Sequence, residues 1–190
     1  MSPRKNTSQE LTREIILQKA RTQFVKKGFQ QVSMRSIAAL LGCSHGAIYY
    51  HFKSKAELFY AIVEDDFLKL NNLLEDTIQG SEDHSAKLYN VFIRFIEFGL
   101  NHQSQYEMMF MIRNSEVDSL SQAAANLSYE KFAQTVQSLS TKKHKIIDIR
   151  SAFFALHGFI AHHLGYVHHF NEAKLAAQSH VSFIIKGLNG

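Results

Sequence analysis

Between residues 33 and 55 the chain gathers side chains that can hydrogen-bond to an anion or to the edge of a base: Ser33, Arg35, Ser44, His45, Tyr49, Tyr50, His51, Lys53 and Lys55. Gly46 and Ala47 lie among them, small enough to let the backbone come close to a partner surface. Hydroxyls, imidazoles and cations interleaved with small residues suit the major groove of duplex DNA, where base edges specify and phosphates position. The remaining polar residues show no comparable order. No nucleophile–base pair, Gly-rich phosphate loop, H-E-x-x-H or C-x-x-C pattern is present, so the chain does not read as an enzyme. Six of the eleven histidines fall in 157–180, but His157/His162 and His163/His168 are five apart. Ligands on one helix face need a spacing of three or four, so no metal site is assigned; a metal-responsive regulator stays open as an alternative.

Those residues must be held by short helices. Leu11 to Lys27 has helical spacing, with Ile16, Ala20 and Phe24 on one stripe and Gly28 as a stop. Ser33 would cap a second helix, Met34 to Leu41, burying Ile37, Ala38 and Leu41. Gly42-Cys43-Ser44 reads as a tight turn into a third helix, His45 to His51, with Ile48 and Phe52 inward. Ser54 and Glu57 form a capping box opening a long helix to about Gln79. Further helices are expected near Ser85–His102, Gln105–Asn114, Leu120–Leu139, Ile146–His169 and, after an Asn171 cap, Ala173–Leu188. The expected fold is all-α, about nine helices with no strand.

Two short helices joined at Gly42-Cys43-Ser44 make a helix-turn-helix, and here the chain resembles the TetR family of bacterial transcriptional regulators. The resemblance runs continuously over the first third, through Lys27-Gly28-Phe29, Ser33 to Ala38, Gly42 to Phe52 and Ser54-Lys55-Ala56-Glu57-Leu58. It implies an N-terminal three-helix DNA-binding domain, 1–55, and a larger helical regulatory and dimerisation domain, 56–190. Ser33 and Arg35 would hold phosphates, with Arg35 near a base. His45, Gly46, Ala47 and Tyr49 would line the groove, and Tyr50, His51 and Lys55 would meet the backbone. Lys53 stands where the family often has proline and would add a phosphate contact. Arg4 and Lys5 read equally as a minor-groove arm or a solvated tail.

Charge agrees with this division. Residues 1–55 carry ten Lys and Arg against Glu10 and Glu14, a net +8, and residues 56–190 carry eleven against fifteen, a net −4, within the overall +4. A basic head on a mildly acidic body points to a polyanionic partner. The one cysteine, Cys43, excludes an internal disulfide and reads as packing in the turn. No apolar run reaches the ~18 residues of a membrane span, and a cytoplasmic protein is expected. A membrane-surface role is disfavoured because the basic first helix lacks exposed Trp or Leu.

The resemblance further implies a homodimer through the last two helices, about 146–188, a palindromic operator and a small apolar effector releasing the repressor. An activator of the same fold is the other open outcome. No cofactor is expected. Phe92, Phe95, Ile96, Tyr106, Met109, Phe110, Tyr129, Phe132, Phe153 and His157 are the candidate pocket, with Arg113 as an anchor for an anionic effector. Phe153-Phe154-Ala155-Leu156-His157-Gly158 resembles the Trp-His-Gly-type regulatory domain, with Phe153 at the position often held by Trp.

Overall fold

The computed structural model describes residues 11–112 and 118–190, so Arg4, Lys5 and Arg113 lie outside the described residues. Those described form nine helices and no strand: α1 (Arg13–Gln31), α2 (Met34–Leu41), α3 (His45–His51), α4 (Lys55–Ile78), α5 (His84–Asn101), α6 (Gln103–Phe110), α7 (Asp118–Leu139), α8 (Ile146–His163) and α9 (Phe170–Asn189). They divide into two compact units, one ending at Ile62 and one beginning at Val63, so the division falls inside α4.

In the first unit α1 buries Ile16, Leu17, Ala20 and Phe24. Its helical path breaks at Gly28 (φ 74°, ψ 165°), a left-handed backbone that glycine adopts without a Cβ penalty. That break turns Phe29 inward, where it stacks on Phe24 at 6.0 Å and meets Phe59 edge-on at 5.2 Å. Ser33 caps α2 by accepting from Ser36 N, while Ser36 Oγ accepts from Ser33 N, each at 3.1 Å. This reciprocal cap satisfies two helix-end amides and is worth about 1 kcal/mol. Gly42 (φ 65°) ends α2 with its N–H on the Ala38 and Ala39 carbonyls. Leu41 is only half-buried, because the inward face of this two-turn helix is filled by Met34, Ile37 and Ala38.

The second unit is built on α5, which buries Leu88, Val91, Phe92, Phe95, Ile96, Phe98, Gly99 and Leu100. α8 contributes Ile149, Ala152, Leu156 and Ile160, and α9 contributes Phe170, Ala173, Ala177, Val181, Ile184 and Leu188. Two expectations need correcting. α8 ends at His163 rather than His169: Gly165 takes φ 76°, and the turn carrying it is clamped by Gln103. The Gln103 amide accepts from Gly165 N at 3.0 Å and donates to the Val167 carbonyl at 2.7 Å. α9 begins at Phe170, not after an Asn171 cap, because Phe170 N donates to Asn101 Oδ1 at 2.9 Å and its ring is buried. A distant side chain does the capping, so no local signal announces it.

Candidate nucleic-acid interface and an inner cavity

The turn Gly42-Cys43-Ser44 delivers α3 with one face packed and the rest open. Ser44 Oγ caps it, accepting from Ala47 N at 3.2 Å, and Phe52 N closes its C-terminus on the Ile48 carbonyl. Ile48 and Phe52 are buried, while Ser44, His45, Gly46, Tyr49 and Tyr50 are exposed, Tyr50 at 87%. His45 and Tyr49, one turn apart, meet edge-on with ring centroids 4.7 Å apart, so the two side chains form one projecting unit. Tyr50 and His51 meet edge-on at 5.2 Å. Arg35 and Lys53 are exposed, and no ion pair among the described residues occupies either.

Lys55 behaves differently from its neighbours. Its ammonium donates to the Phe29 carbonyl at 3.0 Å and sits 4.1 Å from the Phe29 ring centroid. An ammonium has three N–H groups, so two remain for an outside anion. The Ser54 box at the start of α4 is closed on one side by Glu57 N donating to Ser54 Oγ at 3.0 Å. On the other, the Glu57 carboxylate accepts from Lys53 N at 2.7 Å, one residue earlier than the usual box.

In the second unit α6, α7 and α8 form a cavity of about 370 Å³ that opens to the surface, lined by Met109, Phe110, Gln122, Ala125, Asn126, Tyr129, Arg150, Phe153, Phe154 and His157. Of the sequence-predicted pocket residues, Met109, Phe110, Tyr129, Phe153 and His157 line it. Phe92, Phe95, Ile96 and Phe132 are fully buried behind it, with Phe95 and Phe132 against Phe153 at 5.7 and 5.6 Å. Tyr106 is also fully buried and touches the site through His157, its hydroxyl 2.7 Å from Nδ1. Gln122, Ala125, Asn126, Arg150 and Phe154 were missed. Their signal was register: Arg150, Phe153, Phe154 and His157 recur at i, i+3, i+4 and i+7 on one face of α8.

The polar groups of this cavity are asymmetric. Burial pushes the Tyr106 phenol well above its ordinary range, so it keeps its proton. Burial also lowers the His157 imidazole, so it is neutral at physiological pH. The Tyr106 hydroxyl and His157 Nδ1 share one hydrogen bond of 2.7 Å whose direction follows the imidazole tautomer; where the phenol donates, the imidazole proton is on Nε2. The Tyr129 hydroxyl is buried without a hydrogen-bond partner among the described residues. Arg150 places its guanidinium 5.6 Å from the Tyr129 ring centroid. Among the described residues no group of three or more His, Cys, Asp or Glu could hold a metal ion, and no helix is long and apolar enough to cross a membrane.

An all-α chain with a capped helix-turn-helix, an open third helix and a second helical unit around a cavity is a DNA-binding regulator in its architecture. Residues 16–62 match the family model described as bacterial regulatory proteins, tetR family, and this match ends where the first unit ends. The chain is 30% identical over 168 residues to the HTH-type transcriptional regulator AcrR of Shigella flexneri, covering 83% of this chain and 78% of that one. It is 35% identical over 83 residues to the HTH-type transcriptional regulator TtgR of Pseudomonas putida, 44% of this chain and 33% of that one. Among solved structures, a TerR/AcrR-family regulator from Aquifex aeolicus VF5 is similar at TM-score 0.75 and 20% identity, over 90% of this chain and 98% of that one. NalD, the secondary repressor of the MexAB-OprM multidrug efflux pump in Pseudomonas aeruginosa, is similar at TM-score 0.68 and 21% identity, over 93% and 94%. The chain belongs to the TetR family of bacterial transcriptional regulators.

Proposed function

We propose that this regulator represses transcription as a homodimer on a palindromic operator in the cytoplasm, and that a small molecule in the α6–α7–α8 cavity releases it. The observation that carries the reading is α3, whose outward residues are all polar, small or aromatic while its inward residues are core. In this reading residues 1–55 are the DNA-binding domain and 56–190 the regulatory one. His45, Gly46, Ala47 and Tyr49 face base edges. Ser33, Arg35, Ser44, Tyr50, His51, Lys53 and the two spare N–H groups of Lys55 hold phosphates. Two copies place two such helices on successive turns of the duplex, which is why the site is a palindrome.

Exposed apolar side chains on the last two helices support the dimer. Ile146 and Ile147 on α8 and Leu175 and Phe183 on α9 are each more than half exposed. Large apolar side chains left open on neighbouring helices are covered in a working assembly.

Selection of bound sequences from random duplex DNA tests the reading. A palindromic consensus with affinity falling steeply as salt rises is expected, since each neutralised phosphate releases counterions. Binding that shows no site preference over competitor DNA would overturn it.

A further inference from the structure

The cavity described above has a chemical bias that its aromatic rings conceal. Among the described residues its lining includes one formal charge, the Arg150 cation, and no carboxylate. Arg150 has no ion pair among the described residues; its contact is the face of Tyr129. Aromatic rings make up one part of the walls, with Phe110 and Phe153 centroids 6.2 Å apart and Phe153 and Phe154 6.1 Å apart, and the Gln122 and Asn126 amides with Arg150 make up the polar part. His157 meets the cavity from the same face of α8 two turns further on, and its Nδ1 is already occupied by Tyr106. With the phenol as the donor in that bond, the other ring nitrogen carries the proton and offers a donor to the cavity. Two turns of helix separate Arg150 and His157 by about 10 Å, which the length and freedom of the Arg side chain shorten.

We propose that the effector is an aromatic acid: its carboxylate meets Arg150, its ring lies among Phe110, Phe153 and Phe154, and an oxygen at its far end accepts from His157 Nε2–H. This rests on the reading of the cavity as the effector site and sharpens it from an apolar ligand to an anionic one. A carboxylate on a guanidinium is the strong, directional pair for such a position, whereas a cationic ligand would face Arg150 with no acid to offset it. The volume, about 370 Å³, is at the low end of small-molecule sites, which suits one substituted ring better than a fused polycycle.

Titration calorimetry on the full-length protein with four probes tests this: para-coumarate, its amide para-coumaramide, cinnamate, which lacks the far phenol, and tyramine, which is a cation. Para-coumarate should bind about ten-fold or more tightly than the amide or tyramine, and more tightly than cinnamate. Arg150→Ala should bring para-coumarate to the level of the amide and leave the amide's own affinity unchanged, and Arg150→Lys should restore part of the difference. His157→Phe should bring para-coumarate to the level of cinnamate. Arg150 is exposed, so a melting curve matching wild type shows that its loss acts on binding and not on folding. Equal binding of all four probes, a preference for tyramine, or a carboxylate preference that survives Arg150→Ala overturns the anionic assignment while leaving the cavity as the effector site. Binding of none of the four, or binding unaffected by filling the cavity with Ala125→Trp, overturns the cavity reading and this inference with it.

Discussion

The hydroxyl of Tyr106 on α6 lies 2.7 Å from Nδ1 of His157 on α8, joining two residues 51 positions apart in sequence. Burial acts on both in the direction that keeps them neutral, holding the phenol pKa up and the imidazole pKa down. Each shift fixes one side of a pH window. The unfolded chain's imidazole takes up a proton below about pH 6.5 while the folded one resists, so stability falls as pH drops below that value. Above about pH 10 the unfolded phenol loses its proton while the folded one keeps it, so stability falls again as pH rises. Thermal melts from pH 5 to 11 should show His157→Phe flattening the acid limb relative to wild type and Tyr106→Phe flattening the alkaline limb. Unchanged limbs in both variants would show that the pair is not what couples pH to this unit.

Lys55 and Lys53 separate a structural lysine from a DNA-facing one. Lys55→Ala removes the hydrogen bond to the Phe29 carbonyl and the cation over its ring, so it should cost about 1 kcal/mol of stability as well as DNA affinity. Lys53→Ala should leave the melting curve in place and lower the salt dependence of binding by about one phosphate's worth. Equal loss of stability in the two variants would remove the distinction.

His45 and Tyr49 support each other edge to edge at 4.7 Å, so neither is an independent reader. Tyr49→Phe keeps the ring that braces His45 and should alter site preference only through the lost hydroxyl. Tyr49→Ala removes the brace and should relax preference at the bases both residues face, by about 1–3 kcal/mol of discrimination. Repeating the site selection with each variant checks this. Identical consensus sequences from wild type and Tyr49→Ala would move recognition away from α3.

The first unit was legible because its signals are short-range. Ser33 and Ser36, Gly42, and Ser54 with Glu57 fix helix ends within four residues of themselves, and each does so in the structure. The end of α8 and the start of α9 were not, since they depend on Gln103 and Asn101, more than sixty residues away. The cavity was legible in part for a similar reason. Helical spacing marks Phe95 and Phe153 alike as inward-facing, but only the packing of α6, α7 and α8 separates a buried ring from one that lines a void. Nothing in the sequence singles out Arg150 or Asn126, and their position at the cavity follows from register on α8 and α7.

Gly99 on α5 packs directly against the Ile160 side chain on α8. A Cβ there would stand 2.8 Å from both Cδ1 and Cγ2 of Ile160. Gly99→Ala should therefore destabilise by about 1–3 kcal/mol, despite alanine's better helix propensity. Ile160→Ala removes the clashing atoms at its own cost, so the double variant should be more stable than the sum of the two losses predicts. Additive losses in denaturant titrations would mean that the helices yield without strain.

Phe183 is 74% exposed on α9 and borders a hollow of about 240 Å³ lined also by Asp148, Ser151, Ala152, Ala155, Ile184, Gly187 and Leu188. A large ring next to a hollow floored by small side chains is a self-complementary feature, and a two-fold axis would present each to a second copy. Because one substitution then changes both halves of the interface, Phe183→Glu should act twice in every dimer, burying two carboxylates with no cation among the residues lining the hollow. Sedimentation at micromolar concentration should give a dimer for wild type and a monomer for Phe183→Glu. The variant's operator affinity should fall far more than its affinity for a single half-site, since only the paired contacts are lost. Its helix content should be unchanged, because Phe183 contributes little to its own unit's core. A wild-type chain that sediments as a monomer, or a Phe183→Glu chain that stays dimeric, would place the interface elsewhere.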